Sequence, residues 1–155
     1  MLNLGQVQFA AEECQRQGVG PMEVFQMCQA MNLGGHQHFL TVQFVKDLGF
    51  LVEPQKNKDG WRTVGVFFTN SEFHSKIGEA ATPDQINRLI VQLVAALHEE
   101  RIDADEFYKE FQLIHPFLDG NGRVGAILFN FINGTLDVPK SAPDYFGAEG
   151  TLSKI

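Results

Sequence analysis

Basic charge is scarce in this chain. Lys and Arg total 12 against 19 Asp and Glu, for a formal charge of −7. A broad basic face for gripping nucleic acid is therefore not expected, although a small local phosphate site is compatible with that balance. Cysteine is scarcer still. Cys14 and Cys28 are the only two, too few for a disulfide framework, and they read as small buried hydrophobes in a reducing, cytoplasmic setting. No apolar run approaches the ~20 residues that span a bilayer, so no membrane partner is expected. Residues 1–11 have neither the basic start nor the apolar stretch of a signal peptide. Trp occurs once and Tyr twice against 14 Phe, which predicts a core built from Phe plates. Internal repeats and low-complexity stretches are missing too, and 155 residues at 44% apolar and 20% charged fit one soluble globular domain over 1–155.

Apolar periodicity gives a mainly α reading with one strand-like interruption. Val7, Ala10, Ala11 and Cys14 recur at helical spacing, and so do Val24, Phe25, Cys28 and Met31, with Gly34 and Gly35 as a stop. Leu40, Phe44 and Leu48 outline a third helix, and N-terminal helices are expected over about residues 6–50. Residues 53–60 (EPQKNKDG) are polar and turn-rich, and residues 61–68 (WRTVGVFF) have strand composition, one arm of a hairpin. Thr82, Pro83 and Gln85 resemble a capping box before the stripe Ile86, Leu89, Ile90, Leu93, Val94 and Leu97. Asp103 caps the next helix, which carries Phe107, Phe111 and Ile114 up to His115, where Pro116 disfavours helical geometry. A further helix through Val124, Ile127, Leu128 and Phe131 stops at Asn133 and Gly134.

Residues 115–123 (HPFLDGNGR) hold most of the chemistry. A helix ends at a histidine, a tight loop follows, and a helix start presents backbone N–H groups and a positive dipole end. Gly120 and Gly122 let the backbone approach an anion closely. Arg123 adds a guanidinium fork suited to phosphate. Asp119 is the acid of the loop, a natural ligand for Mg²⁺ beside phosphate oxygens. His115 can take a proton near neutral pH. A base, a metal ligand and donors for developing charge together suit attack on a phosphate. Taken singly, each part is more often a turn, a cap or a surface residue.

Residues 115–123 resemble the signature of Fic (Fido) proteins, His-Pro-Phe-x-Asp/Glu-Gly-Asn-Gly-Arg-x-x-Arg, up to and including Arg123. Phe111 and Ile114 before the motif and Asn130 after it fit the family, as do Gly60, Trp61 and Arg62 with Val66 and Phe67 in the region the family calls the flap. The resemblance covers about residues 55–139. It implies a Fic-type helical bundle with a small β-hairpin flap over the active site. It also implies a transferase moving a nucleoside monophosphate, in the simplest case AMP from ATP with Mg²⁺, onto a Ser, Thr or Tyr hydroxyl of a target protein. Under it His115 is the general base and Asp119 the Mg²⁺ ligand. Gly120, Asn121 and Gly122 line the anion hole around the α-phosphate, Arg123 holds the β-phosphate, and Phe117 anchors the loop in the core. Gly60, Trp61, Arg62 and Val64 belong to the flap that docks the target by strand addition. A toxin-like role with a separate antitoxin or regulator chain is compatible with the family.

Two departures stand out. The family's second arginine is Ala126 here. That implies a weaker grip on ATP, another donor (UMP, GMP, phosphoryl or phosphocholine transfer), or a non-catalytic module that binds nucleotide or protein. The family's inhibitory Ser/Thr-x-x-x-Glu-Gly/Asn helix is matched only in fragments: Glu149-Gly150 follows Tyr145, and Ser75 and Glu79 are followed by Ala80. Both read as coincidences of a short pattern. His36 and His38 read as surface residues, and His74 and His98 lack sequence partners.

Overall fold

The computed structural model describes residues 1–70, 75–144 and 150–154, with residues 68–70, 75–79 and 150–154 described by their backbone alone. The order of elements is α1 (Leu4–Arg16), α2 (Pro21–Gly35), α3 (Val42–Val52), β1 (Val66–Asn70), β2 (Ser75–Glu79), a 3-10 turn (Pro83–Gln85), α4 (Ile86–His98), α5 (Ala104–Ile114), α6 (Asn121–Asn133) and β3 (Gly150–Lys154). The mainly helical expectation holds, and each helix that periodicity outlined is present.

Local signals account for the helix ends. Asn3 Oδ1 accepts from Gln6 N–H at 2.9 Å, and Thr41 Oγ1 from Phe44 N–H at 3.0 Å. Asp103 Oδ1 accepts from Glu106 N–H at 2.9 Å, so the cap read from sequence is made. At Thr82 the reciprocal arm forms, Thr82 N–H donating to Gln85 Oε1 at 3.2 Å, and Pro83 opens a 3-10 turn ahead of the α-helix. Gly134 closes α6 in the left-handed region.

Side chains from all six described helices share one core. Phe44, Phe107, Phe111 and Phe117 are among its largest fully buried members, together with Met27, Met31, Leu48, Ile86, Ile90, Ile127 and Leu128. Phe44 meets Phe131 with ring centroids 4.9 Å apart. The Phe-plate expectation holds there but does not extend to every phenylalanine, because Phe25, Phe39 and Phe50 lie exposed. Helix α6 is the centre of the bundle: residues 123–130 are all buried, with α5 on one side and α3 and α2 on others. Among the described residues no helix is long and apolar enough to cross a membrane.

The strand region differs from its sequence reading. Residues 61–65 are not strand, and the ladder begins only at Val66. Gly60 turns the chain with φ +90°, and the segment after it is fixed by side-chain hydrogen bonds of Trp61 and Arg62. From Val66 on, β1 pairs antiparallel with β2, Phe67 opposite Glu79 and Asn70 opposite Ser75, with an irregularity between Phe68 and Thr69. The other edge of β1 is taken by β3, Val66 opposite Lys154 and Asn70 opposite Gly150, so the order is β2-β1-β3. The hairpin expected from sequence is therefore part of a three-stranded sheet. Val66 and Ala80 seat its base against Leu113 near the end of α5.

Candidate active site

The turn from α5 to α6 is built from inward-facing side chains. α5 ends because His115 adopts φ 52°, ψ 64°, a left-handed conformation uncommon for a residue with a Cβ. Its N–H still donates to Phe111 O at 2.9 Å, and Pro116 prevents a further helical turn. The His115 carbonyl accepts from Arg62 Nε at 2.6 Å. The imidazole is largely buried, at 7% exposure for the residue.

Arg62 is the first correction. The sequence places it in a flap that docks a target, but it is 3% exposed. Its guanidinium donates to the carbonyls of His115, Ile114 (3.0 Å), Val64 (2.7 Å) and Ala81. Arg62 N–H also donates to Pro116 O at 2.9 Å. One side chain thus satisfies the end of α5, the approach to β1 and the start of the segment before α4. It positions the histidine backbone and is not available to a partner. Trp61 is half-buried: its Nε1 donates to Asn87 Oδ1 at 3.1 Å, its ring lies tilted against Phe117 with centroids 5.3 Å apart, and Lys46 Nζ lies 5.1 Å from the ring centroid. Gly60, Trp61 and Val64 do line a surface groove of about 380 Å³ with Gln55, Lys56 and Leu118.

Phe117 anchors the loop as the motif implies. It is fully buried, and its ring fills the space over Gly49, where an added Cβ would lie 2.2 Å from Cε1. Asn121 braces the same turn. Its Oδ1 accepts from Phe117 N–H at 2.9 Å, and its Nδ2 donates to Phe117 O at 2.8 Å. At 2% exposure the Asn121 side chain is a staple, so only its backbone N–H faces the start of α6. Gly120 sits at φ +80° with Val52 Cγ2 2.8 Å from where a Cβ would be, and Gly122 has the Gln17 amide at the same separation. Gly120 excludes a side chain by backbone conformation and contact, whereas at Gly122 a side chain would have to displace the end of Gln17.

The charged groups meet at this end of α6. Arg123 is 1% exposed and turns back toward α3: Nη2 pairs with Glu53 Oε1 at 2.9 Å, and Nη1 donates to Val52 O at 3.3 Å. Its Nε is buried without a hydrogen-bond partner. The sequence assigns this guanidinium to a phosphate, whereas the structure commits it to Glu53. Asp119 Oδ1 accepts from Gly120 N–H at 2.8 Å and lies 3.8 Å from Arg123 Nη2. Asp119 Oδ2 pairs with Lys56 Nζ at 2.7 Å, a contact that pushes the lysine's pKa up. Ala126 is 1% exposed within the core, so the missing second arginine corresponds to a packed position.

Sequence reasoning missed Glu53, Lys56 and Asn57, because residues 53–60 read only as a polar loop. Their partners lie more than sixty residues away, and no local spacing reports such a pairing. Other expectations resolve simply. Ser75–Glu79 is strand β2 and not an inhibitory helix, while Tyr145, Glu149 and His74 lie outside the described residues. His36 Nδ1 bonds Asn32 O at 2.8 Å, and His98 Nε2 bonds Leu40 O at 2.6 Å. Among the described residues no cluster of three His, Cys, Asp or Glu could hold a metal. Cys14 and Cys28 are free thiols, and burial raises the pKa of each.

Comparison with known proteins gives consistent results. The Fic/DOC family model matches residues 40–132. A probable protein adenylyltransferase of Aquifex aeolicus (strain VF5) is 60% identical over 35 residues, 21% of this chain and 11% of that protein. Among solved structures, a Fic family protein from Desulfovibrio desulfuricans G20 is similar with TM-score 0.65 and 20% identity, covering 89% of this chain and 46% of that one. IbpAFic2 covalently tethered to Cdc42 is similar with TM-score 0.65 and 20% identity, covering 94% of this chain and 53% of that one. The chain spans about half the length of these solved relatives, and its match to the curated one covers about a ninth of that protein.

Proposed function

The chain belongs to the Fic/DOC family, and from that premise we propose that it transfers a nucleoside monophosphate, in the simplest case AMP from ATP, to a Ser, Thr or Tyr hydroxyl of a target protein. The observation that carries this reading is the α5–α6 turn. A histidine held by its own backbone stands beside a helix start where Gly120 leaves no room for a side chain and Gly122 carries none. The helix start is an anion site: the N–H groups of Asn121, Gly122 and Arg123 have no acceptor within α6.

In the proposed step the target hydroxyl oxygen attacks the α-phosphorus and its proton passes to the His115 imidazole. The bond from the α-phosphorus to the bridging oxygen breaks, and pyrophosphate leaves with the electron pair. The N–H groups at Asn121 and Gly122 stabilise charge on the α-phosphoryl oxygens, while that of Gly120, which the resemblance also places there, is taken by Asp119 Oδ1. Asp119 fits the role of Mg²⁺ ligand, since its carboxylate is a hard oxygen donor already paired with a cation. When bound, Mg²⁺ would neutralise phosphate charge. Arg123 would reach the β-phosphate only by leaving Glu53; in place, it lends positive field from within. Target docking falls to the groove lined by Gly60, Trp61 and Val64 and to the sheet. Because β3 covers one edge of β1, strand addition would use the outer edge of β2 or displace β3. The free thiols suit a cytoplasmic setting.

The buried Arg123–Glu53 pair and the packed Ala126 favour a second reading, a Fic-fold module that binds nucleotide or protein without transfer. Labelled ATP separates the readings. Incubation with Mg²⁺ and a host-cell extract, read against the extract alone, should add label to protein from α-³²P-ATP and add none from γ-³²P-ATP. Added label from the γ position would indicate phosphoryl transfer. Label from neither, with ATP bound, would support the binding module, and a repeat with α-labelled UTP, GTP and CTP would test other donors.

A further inference from the structure

Lys56 is seated on the carboxylate assigned to the metal, and its placement is built. The next residue, Asn57, is 2% exposed and clamps the loop to the Asp119 backbone. Asn57 Nδ2 donates to Asp119 O at 2.8 Å and to Gly49 O at 2.9 Å, and Asn57 Oδ1 accepts from Asp119 N–H at 3.4 Å. Asn57 N–H in turn donates to Glu53 O at 2.9 Å. The backbone that carries Lys56 is therefore tied to the same residue whose carboxylate its ammonium meets at 2.7 Å.

The two carboxylate oxygens have different surroundings. Oδ1 accepts from Gly120 N–H and faces Arg123, inside the turn. Oδ2 faces Lys56, whose side chain is 52% exposed. Mg²⁺ binds such sites through one or two carboxylate oxygens and keeps its remaining positions for water and phosphate. A lysine ammonium is a compact point charge that makes the same demand on an oxygen.

We propose that Lys56 is a displaceable counter-ion for Asp119: its ammonium holds Oδ2 until a divalent cation takes that oxygen, and the two cations compete. The proposal rests on Asp119 being the metal ligand of the reading above. The pair is partly exposed, so its hold is weak. Removing it should tighten metal binding by about two- to fivefold, in the range set by half-exposed ion pairs. Lys56 thus tunes how much divalent cation the site needs without closing it.

The test is a Mn²⁺ titration of the intact chain, followed by water-proton relaxation, on wild type, Lys56→Gln, Lys56→Arg and Asp119→Asn. Thermal melting of each variant checks the fold. The expected result is binding that Asp119→Asn abolishes, that Lys56→Gln tightens about two- to fivefold, and that Lys56→Arg leaves near the wild-type value. Lys56→Gln binding Mn²⁺ no tighter than wild type, with Asp119 still required, would overturn the counter-ion role and leave the metal ligand standing. Absence of any Asp119-dependent binding would overturn both.

Discussion

The turn at residues 115–123 and the paired strands β1 and β2 sit side by side and are held in opposite ways. In the turn, side chains do the holding. Asn121 brackets Phe117, Phe117 fills the space above Gly49, Arg123 pairs with Glu53, and Arg62 ties the His115 carbonyl. Those groups are buried and, apart from Arg123 Nε, their hydrogen bonds are spent within the protein, so the backbone N–H groups are what the turn presents. Beyond Val66 the strands hold each other through backbone ladders, and of the side chains described there only Val66 and Ala80 reach a core. A reacting centre needs atoms fixed to a fraction of an ångström. A docking strand must accept different sequences, and backbone pairing permits that.

Mutations can sharpen or break this contrast, and the largest effect belongs to His115. Replacing it by Ala should lower the transfer rate by about 10²- to 10⁴-fold while ATP affinity stays within about twofold, as single-turnover kinetics and calorimetry would read. Loss of affinity in step with rate would make His115 a structural residue. Arg123→Ala should reduce stability by about 3–5 kcal/mol in denaturant unfolding, because Glu53 is left buried and uncompensated. A wild-type midpoint would mean that the turn is not held from within. Asn121→Ala removes two hydrogen bonds to the Phe117 backbone and should cost about 1–3 kcal/mol. Val64→Ala, at an exposed groove position, should change stability by less than about 0.5 kcal/mol. Its effect should appear in KM for the protein target and not in nucleotide affinity; equal loss in both would merge the docking and phosphate regions into one.

Sequence legibility follows the same division. Helices α1 to α6 were readable because apolar residues recur at helical spacing and because Asn133 with Gly134, Asp103 and Pro116 punctuate them. The loop at residues 115–123 was readable because its chemistry is contiguous. Arg62 was not, because a charged residue in a strand-like segment reads as exposed until a helix end supplies carbonyls for it. Neither was the inward turn of Arg123, since its partner Glu53 sits in a stretch whose composition suggests only a turn. Ala126 reads from sequence as a lost phosphate contact. Its burial in α6 makes Ala126→Arg a change that introduces a charge into the core, expected to destabilise before it could improve ATP binding.

In the proposed mechanism His115 acts on a substrate held by the backbone of the α6 start. Intact-mass spectrometry after incubation with Mg²⁺ and each nucleoside triphosphate in turn, on wild type and on His115→Ala, tests it most directly, with a candidate target fraction present. A protein in the wild-type reaction should gain the mass of one nucleoside monophosphate less water, and the His115→Ala reaction should show no gain although the variant binds nucleotide. An equal gain with both forms would contradict the mechanism.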